Sequence, residues 1–137
     1  MTFRAVPLRG VLILALSTLL VGCASFGAPS YPTVAGEYEG SLSVQGQAID
    51  GELSIEQAGN ALQAVFIAAS LGLRAEGEGF VDTDGAITLT LQYDLQCPGT
   101  ARLSGNLNDE GTEITGRLDA NDCTGDISGT FVFRREG

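Results

Sequence analysis

The chain has 137 residues, a net charge of −10, 19 Gly, three Cys, no Trp and no His, and all seven basic residues are Arg. The length suits one domain, and the acidity argues against nucleic acid and anionic lipid surfaces as partners, since both would repel it. The missing His removes the usual general base and the commonest metal ligand.

Arg4 and Arg9 flank a start without acids, and residues 11–21, VLILALSTLLV, follow as an apolar run. A bilayer-crossing helix needs ~20 apolar residues, so this run is too short. A charged start, a short apolar stretch and small residues read as a secretory signal peptide. The run ends in Leu20-Val21-Gly22-Cys23. This segment resembles the lipobox of bacterial lipoproteins. The resemblance implies cleavage after Gly22, a diacylglyceryl thioether on Cys23 and usually an acyl group, such as palmitate, on its new amine. Ala24 and Ser25 lack the Asp that often retains lipoproteins in the inner membrane. For a Gram-negative source the resemblance therefore implies the outer membrane, with the chain lipid-anchored and facing the periplasm. Two or three acyl chains give stable attachment where one gives only marginal binding.

Loss of residues 1–22 leaves five Arg against 17 acids, a net charge of about −12. With Cys23 lipidated, Cys97 and Cys123 remain as an even pair in an oxidising compartment, which predicts a disulfide. Residues 23–35 read as the lipidated Cys and a small, Pro-punctuated tether. Twelve flexible residues span roughly 20 Å root-mean-square.

Residues 36–137 read as the folded domain, where period-two alternation dominates. Tyr38, Gly40, Leu42 and Val44 share one face, and Gly46 marks a turn. Ile49, Gly51, Leu53 and Ile55 follow, then the turn signal Ala58-Gly59-Asn60. Residues 61–68 are apolar on both faces, and strand or short helix stays open for residues 59–71. Leu73, Ala75, Gly77, Gly79 and Val81 alternate with charges, although Phe80 lies on the charged face. Asp82-Thr83-Asp84-Gly85 is a hairpin turn, with Gly supplying positive φ. Ile87 to Tyr93, Ala101 to Leu107, Ile114 to Leu118 and Ile127 to Phe133 complete eight stretches.

Short strands every ~8–12 residues, joined by tight turns, predict an all-β fold. An antiparallel up-and-down meander is the economical topology, closed as an eight-stranded barrel of the lipocalin or streptavidin kind. Seven glycines share the apolar parity: Gly40, Gly51, Gly77, Gly79, Gly105, Gly116 and Gly129. They give either a tightly coiled wall or room for a ligand. Cys97 opens the sixth stretch and Cys123 the eighth. Strands two apart lie ~9.6 Å from each other, beyond the ~6.8 Å Cα limit of a disulfide. The bridge is therefore expected in the end loops, over an Asp119–Asp122 turn.

Catalytic signals are sparse. Nucleophilic catalysis needs a nearby base, and the chain has neither His nor Lys. Glu37/Glu39, Glu76/Glu78 and Asp82/Asp84 are carboxylate pairs at i, i+2, hence on the polar face. The Asp82 turn starts like a calcium loop, but the twelfth position, where an EF-hand needs Glu, is Tyr93. No cofactor, metal site or enzymatic activity is expected.

The expected function is a lipid-anchored envelope lipoprotein acting as a non-enzymatic binding or accessory module, with an envelope protein as a possible partner. The alternatives are an inhibitor of a periplasmic or host hydrolase, and a lipocalin-like carrier of a small apolar ligand. Tyr31, Tyr38, Phe80 and Tyr93 are the candidate surface aromatics. An integral outer-membrane barrel would instead turn its apolar face outward to lipid.

Overall fold

A computed structural model describes residues 29–137. The expected signal peptide 1–22, Cys23 and residues 24–28 of the expected tether lie outside the described residues. The alternation is realised as eight antiparallel strands closing into a barrel in chain order, β8 returning to β1. These are β1 Gly36–Val44, β2 Gln47–Ala58, β3 Ala61–Ala68, β4 Leu73–Val81, β5 Ala86–Asp94, β6 Pro98–Leu107, β7 Glu113–Asp122 and β8 Gly125–Arg135.

The apolar parity faces inward. Twenty apolar residues are buried and, among the described residues, no polar one is. Leu53 and Ile55 sit inside, whereas Glu37, Glu39, Glu52 and Glu56 line the outer wall. An integral outer-membrane barrel needs a hydrocarbon-facing exterior, and on β1 and β2 the outer wall carries these carboxylates instead. Each buried Leu, Ile or Phe contributes about 1.5–3 kcal/mol by leaving water.

Residues 61–68 resolve as strand, because Leu62, Ala64, Phe66 and Ala68 all reach the core. Among the described residues, only Ala69–Leu71 turns helically, as one 3₁₀ turn closed by Gly72 at φ 65°. The Gln45–Gly46 turn has both residues at positive φ, 52° and 80°, as a two-residue hairpin with right-handed twist requires. At the Asp82 turn, the carboxylate Oδ1 accepts from the backbone N–H of Asp84 (2.8 Å) and Ala86 (3.0 Å).

The inward glycines admit close approach. A Cβ on Gly77 would run into the carbonyl of Thr90, and one on Gly79 into that of Thr88. The wall coils so tightly there that a neighbouring strand occupies the side-chain position. At Gly77 and Gly79 the side-chain space is filled by backbone, and at Gly51 by the Phe66 ring.

One sequence expectation about the disulfide fails in detail. Cys97 and Cys123 are bridged, with Cα atoms 6.1 Å apart. Asp119–Asp122, however, is the end of β7, and the turn is Cys123–Thr124. Leu118, Ala120 and Asp122 extend the inward alternation through this segment, and Gly99 pairs with Asp122. Cys123 therefore follows β7, the direct neighbour of β6, which puts it within bridging distance of Cys97. The Cys123 N–H donates to Cys97 Sγ at 3.2 Å.

Candidate functional site

Antiparallel order places alternate turns at opposite ends of the barrel. One end carries the turns after β2, β4 and β6, together with the segment before β1 and the C-terminus. It is plugged. Val34 is fully buried there, and the Tyr38 hydroxyl donates to its carbonyl at 2.6 Å.

Gln57, on the inward parity of β2, holds the plug through both ends of its amide. Its Oε1 accepts from the N–H of Val34 (2.7 Å) and Ala35 (3.1 Å), and its Nε2 donates to the carbonyl of Pro32 (3.0 Å). Arg135, on the inward parity of β8, donates to the carbonyls of Ala35 (2.6 Å), Thr33 (3.1 Å) and Gly111 (2.9 Å). Its guanidinium lies 4.9 Å from the centre of the Tyr38 ring, a cation–π distance. Pro32–Ala35, which the composition assigned to the tether, are thus part of the barrel. Short polar-poor segments read as linkers unless a buried partner is known, and here the partners come from distant strands.

Behind the plug the aromatic rings pack together. The Phe66 and Phe133 rings meet edge to face with centroids 5.7 Å apart, and Phe131 lies 5.7 Å from Phe133.

The other end, carrying the turns after β1, β3, β5 and β7, is an open mouth. An apolar cavity of about 140 Å³ runs inward from it, with Phe66, Leu91 and Leu103 among its deeper walls. Leu71 and Leu95 also line this cavity and are 43% and 47% exposed, so it reaches the surface between these two loops. Solvated leucines at a concave opening are the kind of surface that marks a binding site.

Tyr93 and Asp122 are the polar elements of the mouth. The Tyr93 hydroxyl donates to Asp122 Oδ2 at 2.7 Å. Asp122 Oδ1 accepts from the N–H (2.8 Å) and hydroxyl (2.5 Å) of Thr124. These bonds from Thr124 and Tyr93 hold the Asp122 carboxyl below its ordinary range. Desolvation, followed by the bond to Asp122 and its charge, pushes the Tyr93 hydroxyl up to about 12.

The four candidate aromatics do not form one site. Tyr31 and Tyr38 belong to the plugged end, Phe80 lies 54% exposed on the outer wall, and Tyr93 alone is at the mouth. Leu71, Leu95 and Asp122 escaped the sequence reading. The two leucines sit in loops with no periodic pattern. Asp122 carried a readable sign, since it is an acid on the inward parity of β7.

Elsewhere the charge is uneven. Glu37, Glu39, Asp50 and Glu52 face outward on β1 and β2, and Glu136 joins them. Burial, then the charges of Glu39, Glu52 and Glu37, raise the Glu136 carboxyl above its ordinary range. Among the described residues, no group of three or more His, Cys, Asp and Glu side chains is placed to hold a metal ion. The chain matches no protein-family model, and no curated protein compared with it is significantly similar.

Proposed function

We propose that the protein is a lipid-anchored, non-enzymatic binding module of the cell envelope that engages its ligand through the open mouth. The observation that carries this reading is the asymmetry of the barrel: one end is sealed by residues 32–35, and the other opens onto an apolar cavity rimmed by exposed Leu71 and Leu95.

The lipobox fits this polarity. Only residues 24–30 separate Cys23 from Tyr31, which packs at the sealed end. Seven residues span at most about 25 Å. An acyl anchor on Cys23 thus tethers the sealed end toward the outer membrane and leaves the mouth free toward the periplasm. The catalytic inventory supports binding over chemistry, since the sequence has neither His nor Lys to activate a nucleophile. A cavity of about 140 Å³ is smaller than the pockets of ~300–1,000 Å³ that enclose whole ligands. This size favours a module that grips part of a ligand over a carrier that engulfs one.

Two measurements test the reading. Metabolic labelling with a clickable palmitate should mark the wild-type protein and fail on Cys23→Ser. A neutral apolar fluorophore, N-phenyl-1-naphthylamine, should brighten on adding the purified chain from Ala24, which lacks Trp and so emits little itself. Residues 29–137 pair every strand on both sides, so this chain holds the whole fold. Absence of both signals would refute the proposal.

A further inference from the structure

The mouth also carries information about what it takes. Its cavity walls are almost wholly hydrocarbon, and Asp122 supplies the one ionisable carboxylate among the lining residues. Asp94 and Asp126 flank the same end, closing β5 and opening β8. Arg74, the nearest basic residue along β4, is on the outward parity and pairs with Glu76 at 3.1 Å. The mouth therefore presents an apolar slot beside negative charge with no compensating cation in its lining.

The slot is narrow. A cavity of about 150 Å³ lined by Leu, Ile and Phe accepts benzene, so about 140 Å³ accommodates some six carbons. That is one alkyl chain end or one ring, too little for a two-chain lipid.

Resting on the binding reading above, we propose that the mouth binds a single-chain cationic amphiphile, its chain end in the cavity and its ammonium or guanidinium head against Asp122. Each half of the ligand meets the surface that suits it. The chain end leaves water at about 25 cal/mol per Å² of apolar area. The head meets a carboxylate that Thr124 and Tyr93 already orient, so little ordering is left to the binding step. A fatty-acid carboxylate would gain the first contact and be repelled by the second.

The test is calorimetric titration of the chain from Ala24 with three amphiphiles of equal chain length below their micelle concentrations: hexyltrimethylammonium, hexyl maltoside and hexyl sulfate. The ammonium should bind about tenfold tighter than the maltoside, with the sulfate weakest, and tetramethylammonium alone should not compete. Asp122→Asn should lower the ammonium affinity about tenfold, to that of the maltoside. Ala120→Phe fills the cavity without altering any charge and should abolish binding of both. Methyl chemical shifts of Leu71, Leu95 and Ile127 in the unmodified barrel report the same site should that variant misfold.

Equal affinities for ammonium and sulfate would overturn the proposal by showing apolar binding blind to the head, and undiminished ammonium binding by Ala120→Phe would overturn it as mere ion exchange on an acidic surface. If N-phenyl-1-naphthylamine binds while the ammonium shows no preference, the head-group inference fails and the binding module stands. If neither binds, the module reading fails first.

Discussion

The Tyr93 hydroxyl reaches over β6 to donate to Asp122 Oδ2 at 2.7 Å, joining two strands that are not neighbours in the sheet. Gly99, paired with both residues in the ladder, lies beneath the ring. A Cβ there would stand 2.5 Å from Tyr93 Cζ and 2.8 Å from Asp122 Cβ. The missing side chain of β6 is what lets the clasp close, and the Cys97–Cys123 bridge fastens the same pair of loops.

Gly99→Ala tests this arrangement. The new methyl must displace the Tyr93 ring or shift β7, because Asp122 Cβ cannot move without its strand. Overpacking of this kind costs about 1–3 kcal/mol, and the gain in strand propensity offsets only part of it. Chemical denaturation should show a net loss of about 1 kcal/mol. Unchanged or increased stability would mean that the clasp does not depend on Gly99.

Tyr93 and Tyr38 should titrate abnormally. Tyr93 is held near 12, and burial, opposed by the charge of Arg135, raises Tyr38 as well. A raised folded-state value means the neutral phenol is favoured in the barrel. The stability this contributes is fully present below pH 10, the unfolded value, and is lost as pH rises through about 12. Tyrosinate absorbance should therefore lag at pH 10–11. Asp122→Asn removes the neighbouring negative charge and should move Tyr93 back toward 10.

The plug predicts a second soft point. Gln57→Ala strips the acceptor from the N–H groups of Val34 and Ala35. Leaving partly buried donors unpaired costs about 1–3 kcal/mol. Amide exchange of these two residues should quicken by at least tenfold, while the mid-strand amide of Leu89 stays protected. Equal acceleration everywhere would point to global destabilisation and away from local release of the plug.

Much of the barrel was readable because alternation is a two-state signal, and inward parity at Leu53, Leu89 or Phe131 leaves one consistent way to roll the sheet. The failures share a cause. Gln57, Asp122 and Arg135 are polar side chains on inward parity at strand ends, where the barrel has no hydrocarbon to match them against. Most of their partners are remote in sequence: the carbonyls and amides of residues 32–35 for Gln57 and Arg135, and the Tyr93 hydroxyl for Asp122. Pro32 to Ala35 looked like linker for the same reason, since nothing local shows that Gln57 is waiting for them. Asp119 to Asp122 looked like a turn by composition, yet the ladder with β6 outweighs that weak local preference. The rim leucines Leu71 and Leu95 belong to loops, where no periodicity exists to read.

Removing the disulfide should loosen the mouth more than the plug. The bridge spans 26 residues of sequence, and the chain-entropy relation assigns such a loop about 3.5 kcal/mol. For a domain of this size that corresponds to a fall in Tm of roughly 15 °C. The double variant Cys97→Ala, Cys123→Ala should show it by calorimetry, with the faster amide exchange concentrated at Leu95 and Thr124.

Charge crowding on β1 and β2 shapes the response to pH and salt. Glu136 is raised above 4.5 by burial and by Glu39, Glu52 and Glu37, so its ionisation opposes folding. The favourable contribution of its protonated form is complete below 4.5 and is lost as pH rises through its folded value. Asp122 behaves oppositely. Its carboxyl is depressed below 3.8, so it stabilises above that value, and this is lost as pH falls through its folded value. Acidification from pH 7 should therefore raise Tm toward about pH 5 as acid repulsion is relieved, and Tm should turn down below pH 4. Salt should act like mild acidification at pH 7, because about 0.1 M shortens the screening length to ~10 Å and weakens the repulsion along this wall. Glu39→Gln should reduce both the salt response and the acid gain, and a Tm that falls with added salt at pH 7 would contradict the assignment.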